Sequence, residues 1–453
     1  MVPSPPVRTG ERRSMAQRFA DPIHRVVLRA AGISMVVRIF GLGLSYAANI
    51  LLSRLLGVQA YGEYVIALSW ALVLTLPAKA GFDNSALRYS TVYLERDDSP
   101  RLRGFVHFAV GTVIAISTLI ALLIVALGSR LIPVDGQTRT WTALLVPPLA
   151  LLALFSVVLR TARRIVAAQF YEQVLRPALI IGGLGMGYAA GIRFAPSSAM
   201  ALTAIASAIA LLGLYLQLSR VLRPAISASP SYDEWRQWIA VSIPMLMLGV
   251  VQELMNQVDI LLLGQLADAP QAALFAASWR LASLVPFALV ALAMMSGPVI
   301  AAAHDRAATD EMHRASSVVA RAGFGFALVG AMIVYALGKP LLGLFGPEFV
   351  AAHSVLAVLL LGGIVNAFTG VVAYFMLLTG HERQALAIFV GALVVSIALN
   401  VVLIPKYGAF GAAIASSSAL AAWNLAMWAY VRRTVGIDAS AIARPPRTAT
   451  TAS

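Results

Sequence analysis

The sequence contains no cysteine, so a disulfide, a thiolate nucleophile and a Cys-based metal site are all excluded. Charge is scarce as well: Asp, Glu, Lys and Arg make up 12% of 453 residues, about half of what the surface of a soluble chain uses. Acids are the rarer sign, 20 against 34 Lys plus Arg. Among the histidines, His107, His304, His313, His353 and His381 form neither an H-E-x-x-H motif nor an i, i+4 pair. No metal site is expected from them, and they read as core or interface residues. The segments between apolar runs are too short to hold a catalytic domain. What is abundant is apolar: 60% of residues, with a mean hydropathy of +0.82. Apolar runs of spanning length recur from end to end, which predicts an all-α polytopic membrane protein.

About twelve spans are expected: residues 33–56, 64–82, 104–127, 141–159, 174–192, 199–218, 238–263, 274–302, 322–337, 355–378, 385–404 and 411–431. The net charge of +14 comes from arginines in short loops between these runs. That is the positive-inside pattern rather than a nucleic-acid footprint. One set of loops holds Arg88, Arg96, Arg101 and Arg103, then Arg160, Arg163, Arg164 and Arg176, then Arg220, Arg223 and Arg236, with both tails on the same side. Both termini are therefore expected in the cytoplasm. The basic tail, 1–32, carries no evident cleavable signal, because the first apolar run is too long for one. Residues 301–321 read as an interfacial helix, and the polar segment 434–453 as a disordered cytoplasmic tail.

The chain also looks doubled. Ala67-Leu68-Ser69-Trp70 is echoed by Ala276-Ala277-Ser278-Trp279, and Leu159–Arg163 by Leu377–His381. These offsets, roughly 210 to 220 residues, are what two six-helix halves related by an axis along the membrane normal would give. The expected units are an N-terminal bundle, 33–218, an inter-bundle linker, 219–237, and a C-terminal bundle, 238–433. Pro77, Pro147, Pro148, Pro177, Pro244, Pro286 and Pro298 lie in or near apolar runs. They mark either ordinary helix bends or bendable helices around a passage; both readings stand.

The seventh run holds the chain's two deeply placed acids. Gln252, Asn256 and Asp259 fall on one helical stripe with Glu253 beside it. A carboxylate there costs several kcal/mol unless it faces protein, water or a partner, roughly speaking. The stripe is a candidate functional site, and interhelical glue is the structural alternative. The cations form a second constellation. Arg38 lies inside the first run with Ser45 and Asn49 on its face, Lys79 ends the second, and Arg280 lies within the eighth, where it could pair with Asp259. Arg54 and Lys79 could also snorkel to the interface. Guanidinium groups facing a watered cavity suit a phosphate or pyrophosphate.

Leu52-Ser53-Arg54-Leu55-Leu56-Gly57 with Tyr61-Gly62-Glu63-Tyr64 resembles the first-hairpin signature of bacterial Wzx-like oligosaccharide flippases. Those proteins belong to the multidrug/oligosaccharidyl-lipid/polysaccharide (MOP) exporter superfamily. Gly81-Phe82 with Ala86–Tyr89, Pro244 with Asp259, and Phe345–Phe349 resemble later parts of the same pattern. The strongest match is Asn400–Gly408 continuing into Gly411–Ala415, similar to the C-terminal polysaccharide-biosynthesis block.

The resemblance implies a V-shaped, MATE-like pair of bundles that alternates access across the bacterial cytoplasmic membrane. Its cargo would be an undecaprenyl-pyrophosphate-linked oligosaccharide, flipped for cell-surface polysaccharide synthesis by a non-enzymatic, monomeric protein. A glycan polymerase machinery and membrane lipids would be its partners. Under that reading Arg38, Asn49, Arg54, Lys79, Gln252, Asn256 and Arg280 contact cargo. Glu253 and Asp259 carry a coupling H⁺ or Na⁺, and no cofactor is implied. The rivals are a cation-coupled multidrug antiporter, a lipid II flippase, whose branch resembles fourteen spans, and an integral-membrane polysaccharide polymerase or ligase.

Overall fold

The computed structural model describes residues 22–222, 229–285, 309–370, 372–373, 376, 380–434, 438 and 440–442. The first half contains α1 (Pro22–Lys79), α2 (Phe82–Glu95), α3 (Ser99–Leu127), α4 (Gly136–Thr161), α5 (Ile165–Gln169), α6 (Arg176–Ala189) and α7 (Pro196–Val221). The second contains α8 (Trp235–Leu266), α9 (Ala269–Ala282), α10 (Thr309–Ala336), α11 (Gly338–Phe345), α12 (His353–Thr369) and α13 (Glu382–Thr434). A π-turn over Phe170–Leu175 joins α5 to α6. Every regular element among the described residues is helical.

The two longest helices are hairpins. At 58 residues a straight α1 would run about 87 Å, nearly three times a hydrocarbon core of about 30 Å. Gly57, at φ 75°, breaks it. Across that break Tyr61 donates to Asn49 Oδ1 at 3.3 Å. Residues twelve apart on a straight helix would stand about 18 Å apart, so the chain has folded back. Gly408 (φ 54°) does the same in α13, where Gln271 Oε1 accepts from the freed Ala409 amide at 2.8 Å. Among the described residues eight helices are long and apolar enough to cross a membrane, both hairpins among them. The second pass of each hairpin and the shorter passes through α6 and α9 complete the twelve.

Acids are spent at the ends of helices. Asp98, Asp135 and Asp268 cap α3, α4 and α9, each accepting a backbone amide three residues on. A carboxylate at a helix N-terminus satisfies an orphan donor and meets the positive end of the dipole. Of the candidate spans α4 is the most deeply embedded, and it packs against α1, α3 and α7 as the axis of the first half.

The halves meet through backbone contacts that only glycine permits. A Cβ on Gly62 would lie 1.9 Å from the Ala269 carbonyl oxygen, and one on Gly81 would lie 2.1 Å from that of Ser242. On the arginine-rich face the segment expected as a plain loop is instead α2, whose buried Tyr89 and Tyr93 pack under the start of α8. Trp238 Nε1 donates to Tyr93 Oη at 2.9 Å, and Tyr93 donates to Glu234 at 2.6 Å. Burial and the Glu234 carboxylate both push the Tyr93 phenol up, so it stays protonated and donating.

Three further expectations are adjusted. The interfacial helix expected over 301–321 is, from Thr309, one continuous helix with the following span. The second part of the eighth run, including Pro286 and Pro298, lies outside the described residues. The tail expected to be disordered has an ordered part: Asp438 accepts from Trp428 Nε1 at 3.0 Å, and the Ala441 amide donates to Phe368 O at 2.9 Å. That carbonyl lies beside the break at Gly370 (φ 73°), where α12 ends.

Replacing Tyr93 with Phe removes the acceptor for Trp238 and the donor for Glu234. The expected cost is about 1–3 kcal/mol, read as a lower thermal unfolding midpoint in detergent. An unchanged midpoint would show that this clasp does not hold the halves together.

Candidate functional site

Three adjoining cavities make up a hollow that crosses from one half to the other. The first, about 460 Å³, lies in the first half and is lined by Arg38, Asn49, Glu172, Arg176 and Arg280 among others. The second, about 370 Å³, shares Asn49 and Arg280 with it and adds Tyr46, Asn256, Gln257 and Trp279. The third, about 310 Å³, shares Asn256 and Trp279 with the second and reaches Gln252, Phe389, Ser396, Ser416 and Trp423. One end is thus rich in guanidinium groups, and the other in amides, hydroxyls and aromatic rings.

Five of the seven residues expected to contact cargo face this hollow: Arg38, Asn49, Gln252, Asn256 and Arg280. Arg38 projects from α1 as an exposed side chain. Arg280 is steadied from below, with Nη1 donating to Ala276 O at 3.1 Å and its guanidinium carbon 6.0 Å from the Tyr61 ring centroid. Tyr46 donates to the Arg280 carbonyl. Asn49 Nδ2 donates to Ser45 O at 2.8 Å and keeps the hairpin contact with Tyr61.

The other two sit elsewhere. Arg54 donates from Nε to Leu344 O at 2.7 Å and from Nη2 to Gly343 O at 2.5 Å, so it caps the end of α11. A cation on the last carbonyls of a helix meets the negative end of its dipole. Lys79, the last residue of α1, pairs across the break with Asp83 in the first turn of α2 at 2.7 Å.

The two acids differ sharply. Asp259 is 3% exposed, with Asn400 Nδ2 donating to Oδ1 at 2.7 Å and Ser416 Oγ to Oδ2 at 2.5 Å. The pair expected between Asp259 and Arg280 does not form; the acid turns into the second half, away from the guanidinium. Asn400 Oδ1 is buried with no hydrogen-bond partner among the described residues. Ser416 opens the cluster onto the third cavity. Glu253 is half-buried beside its own helix, accepting from Gln257 at 3.0 Å.

Several lining residues escaped the sequence reading. Arg176 was counted with the loop arginines because it opens an apolar run, yet it lines the first cavity with its Nε buried and unpartnered among the described residues. Glu172, four positions earlier, was not singled out at all. The available signal was an i, i+4 acid–base pair ahead of Pro177. Asn400 stood inside the C-terminal block, but without a hint that its side chain meets Asp259.

The family described as polysaccharide biosynthesis protein matches residues 27–304. No curated protein matches the sequence. Among solved structures the chain is similar to the inward-facing conformation of a multidrug resistance MATE family transporter of the MOP superfamily. That match has a TM-score of 0.71 and 13% identity, over 90% of this chain and 98% of the other. It is similar to the inward closed conformation of the lipid II flippase MurJ, with a TM-score of 0.67 and 14% identity, over 88% of this chain and 87% of that one. An outward-facing conformation of a MATE family transporter superposes less closely, with a TM-score of 0.58 at 13% identity over 90% and 95%.

If the Arg54 cap holds α11 against α1, then Arg54→Ala should make a cysteine placed at buried Ser53 react faster with maleimide. Equal rates with and without Arg54 would show that the cap does not seal this face.

Proposed function

The chain belongs to the polysaccharide biosynthesis protein family and has the transporter fold of the MOP superfamily; from that premise we propose that it flips a pyrophosphate-linked polyprenyl oligosaccharide across the cytoplasmic membrane. The observation that carries this reading is the polarity of the hollow. Arg38, Arg176 and Arg280 converge on the first cavity, where a diphosphate would meet planar, multi-donor cations. The third cavity presents Gln252 and Asn256 beside Trp279 and Trp423, a chemistry that suits sugar hydroxyls and the apolar faces of sugar rings. A small apolar drug would have no use for three guanidinium groups.

The first cavity borders the arginine-rich loops, its Glu172 paired with Arg160 near the end of α4, which supports loading from the cytoplasm. The backbone's closer match to inward-facing than to outward-facing relatives agrees with this. The lipid tail stays in the bilayer while the headgroup crosses through the hollow. Driving the cycle is assigned to Asp259. Its carboxylate, the Ser416 hydroxyl and the orphaned Asn400 Oδ1 are an all-oxygen set, suited to H⁺ or Na⁺. Binding there changes the charge of a cluster that joins α8 to both arms of α13, so it can bias how those helices pack. Glu253, on the same helix, is the second candidate for this role.

The test is transport of a fluorescent undecaprenyl-pyrophosphate-linked oligosaccharide into proteoliposomes, with an ion gradient imposed. Removing a charge-assisted hydrogen bond is worth about 1.5–3 kcal/mol, so Arg176→Gln should slow transport about 10- to 100-fold. Asp259→Asn should abolish the dependence on the gradient while the protein still inserts. Wild-type transport by both variants would refute the assignment, and export of cationic drugs in place of the glycolipid would favour a multidrug antiporter.

A further inference from the structure

Glu172 is the sole acidic side chain lining the first cavity among the described residues, and it stands among Arg38, Arg176 and Arg280. It comes from the π-turn, Phe170–Leu175, whose i to i+5 hydrogen bonds widen the backbone immediately before Arg176. Such turns are rare and cluster at functional sites. The turn is held close to α1: a Cβ on Gly41 would lie 2.5 Å from the Gln173 carbonyl oxygen.

One carboxylate oxygen of Glu172 meets Arg160 of α4 at 2.6 Å, and both side chains remain partly exposed. The pair is one-sided, since Arg160 Nε is buried with no partner among the described residues. A bidentate pair would engage both oxygens; this one engages a single oxygen of Glu172.

We propose that Glu172 is the internal counterion of this cavity and sets its selectivity, screening the guanidinium cluster against singly charged phosphodiester lipids and yielding to a headgroup with two phosphate groups. The inference rests on the reading that the cargo headgroup enters here. The surrounding bilayer presents phospholipids in great excess, and each offers the same phosphate chemistry as the cargo. Replacing one carboxylate charge by one phosphodiester charge leaves the electrostatic sum nearly unchanged. Replacing it by a diphosphate gains a full charge facing three guanidinium groups. Specificity can be built by penalising the wrong ligand as well as by improving contacts to the right one. Arg160 then has a defined part: by holding one oxygen of Glu172 it gives the carboxylate a second partner to yield to when the larger anion arrives.

The full-length protein in detergent should be titrated with undecaprenyl pyrophosphate and, separately, with dioleoyl phosphatidylglycerol, alongside Glu172→Gln and Arg160→Gln. Wild type is expected to favour the diphosphate by at least about tenfold. Glu172→Gln should gain at least about tenfold in affinity for phosphatidylglycerol, collapsing the preference. Arg160→Gln, which releases Glu172 onto the cluster, should weaken the diphosphate by a similar factor. An unchanged phosphatidylglycerol affinity in Glu172→Gln overturns the proposal. If no form binds the diphosphate but Glu172→Gln still gains phosphatidylglycerol, the cargo reading fails and the screening role stands. If Glu172→Gln does not fold, Arg160→Gln decides: weaker diphosphate binding supports the proposal and unchanged binding overturns it.

Discussion

A charge at bilayer depth must face protein, water or a counterion, because hydrocarbon offers it nothing. Nearly every polar feature of this chain follows from that constraint. Asp259 is sealed among Asn400 and Ser416, Lys79 is neutralised by Asp83, and Arg54 is turned onto helix-end carbonyls. Arg38, Arg176 and Arg280 face the hollow instead. Three guanidinium groups facing one cavity are what the proposed anionic headgroup would require.

The same constraint shapes how the two halves meet. Their contacts include glycine-backed approaches at Gly62 and Gly81, a hydrogen-bonded clasp through Tyr93, Trp238 and Glu234, and the Arg54 cap on α11. Backbone contacts through small residues pack well without a hydrophobic drive, which is weak between helices in lipid. Under the proposed function, cargo or a coupling ion would act by favouring one packing of these surfaces over another.

Much of this was legible from residue order alone. Apolar runs of spanning length gave the passes, and the glycines at 57 and 408 stood where the hairpins turn. Helical spacing also grouped Arg38 with Asn49, and Gln252 with Asn256, on faces that do meet the hollow. Depth along a span was harder to read. Arg176 looked like a loop arginine because a charge at the start of an apolar run is ordinarily a snorkelling one; only the π-turn and the packing of α6 bring it inward. The partner of Asp259 was equally hidden. Asp259 and Arg280 sit at similar depth on successive helices, but pairing depends on which way each helix faces. That rotation is set by tertiary contacts with Asn400 and Ser416, well over a hundred residues away. Amphipathic α2 was missed because its apolar face is aromatic and short, with too little hydropathy to stand out from a loop.

The central claim is that a single water-filled hollow joins the guanidinium end to the amide end and opens to the arginine-rich side. The absence of cysteine allows a direct measurement: label Asn49→Cys and Asn256→Cys, one at a time, with a membrane-impermeant maleimide from each side of oriented vesicles. Both positions should label from the arginine-rich side, and a polyprenyl diphosphate should protect both. Failure of both to label from either side, or labelling that the diphosphate leaves untouched, would contradict the account.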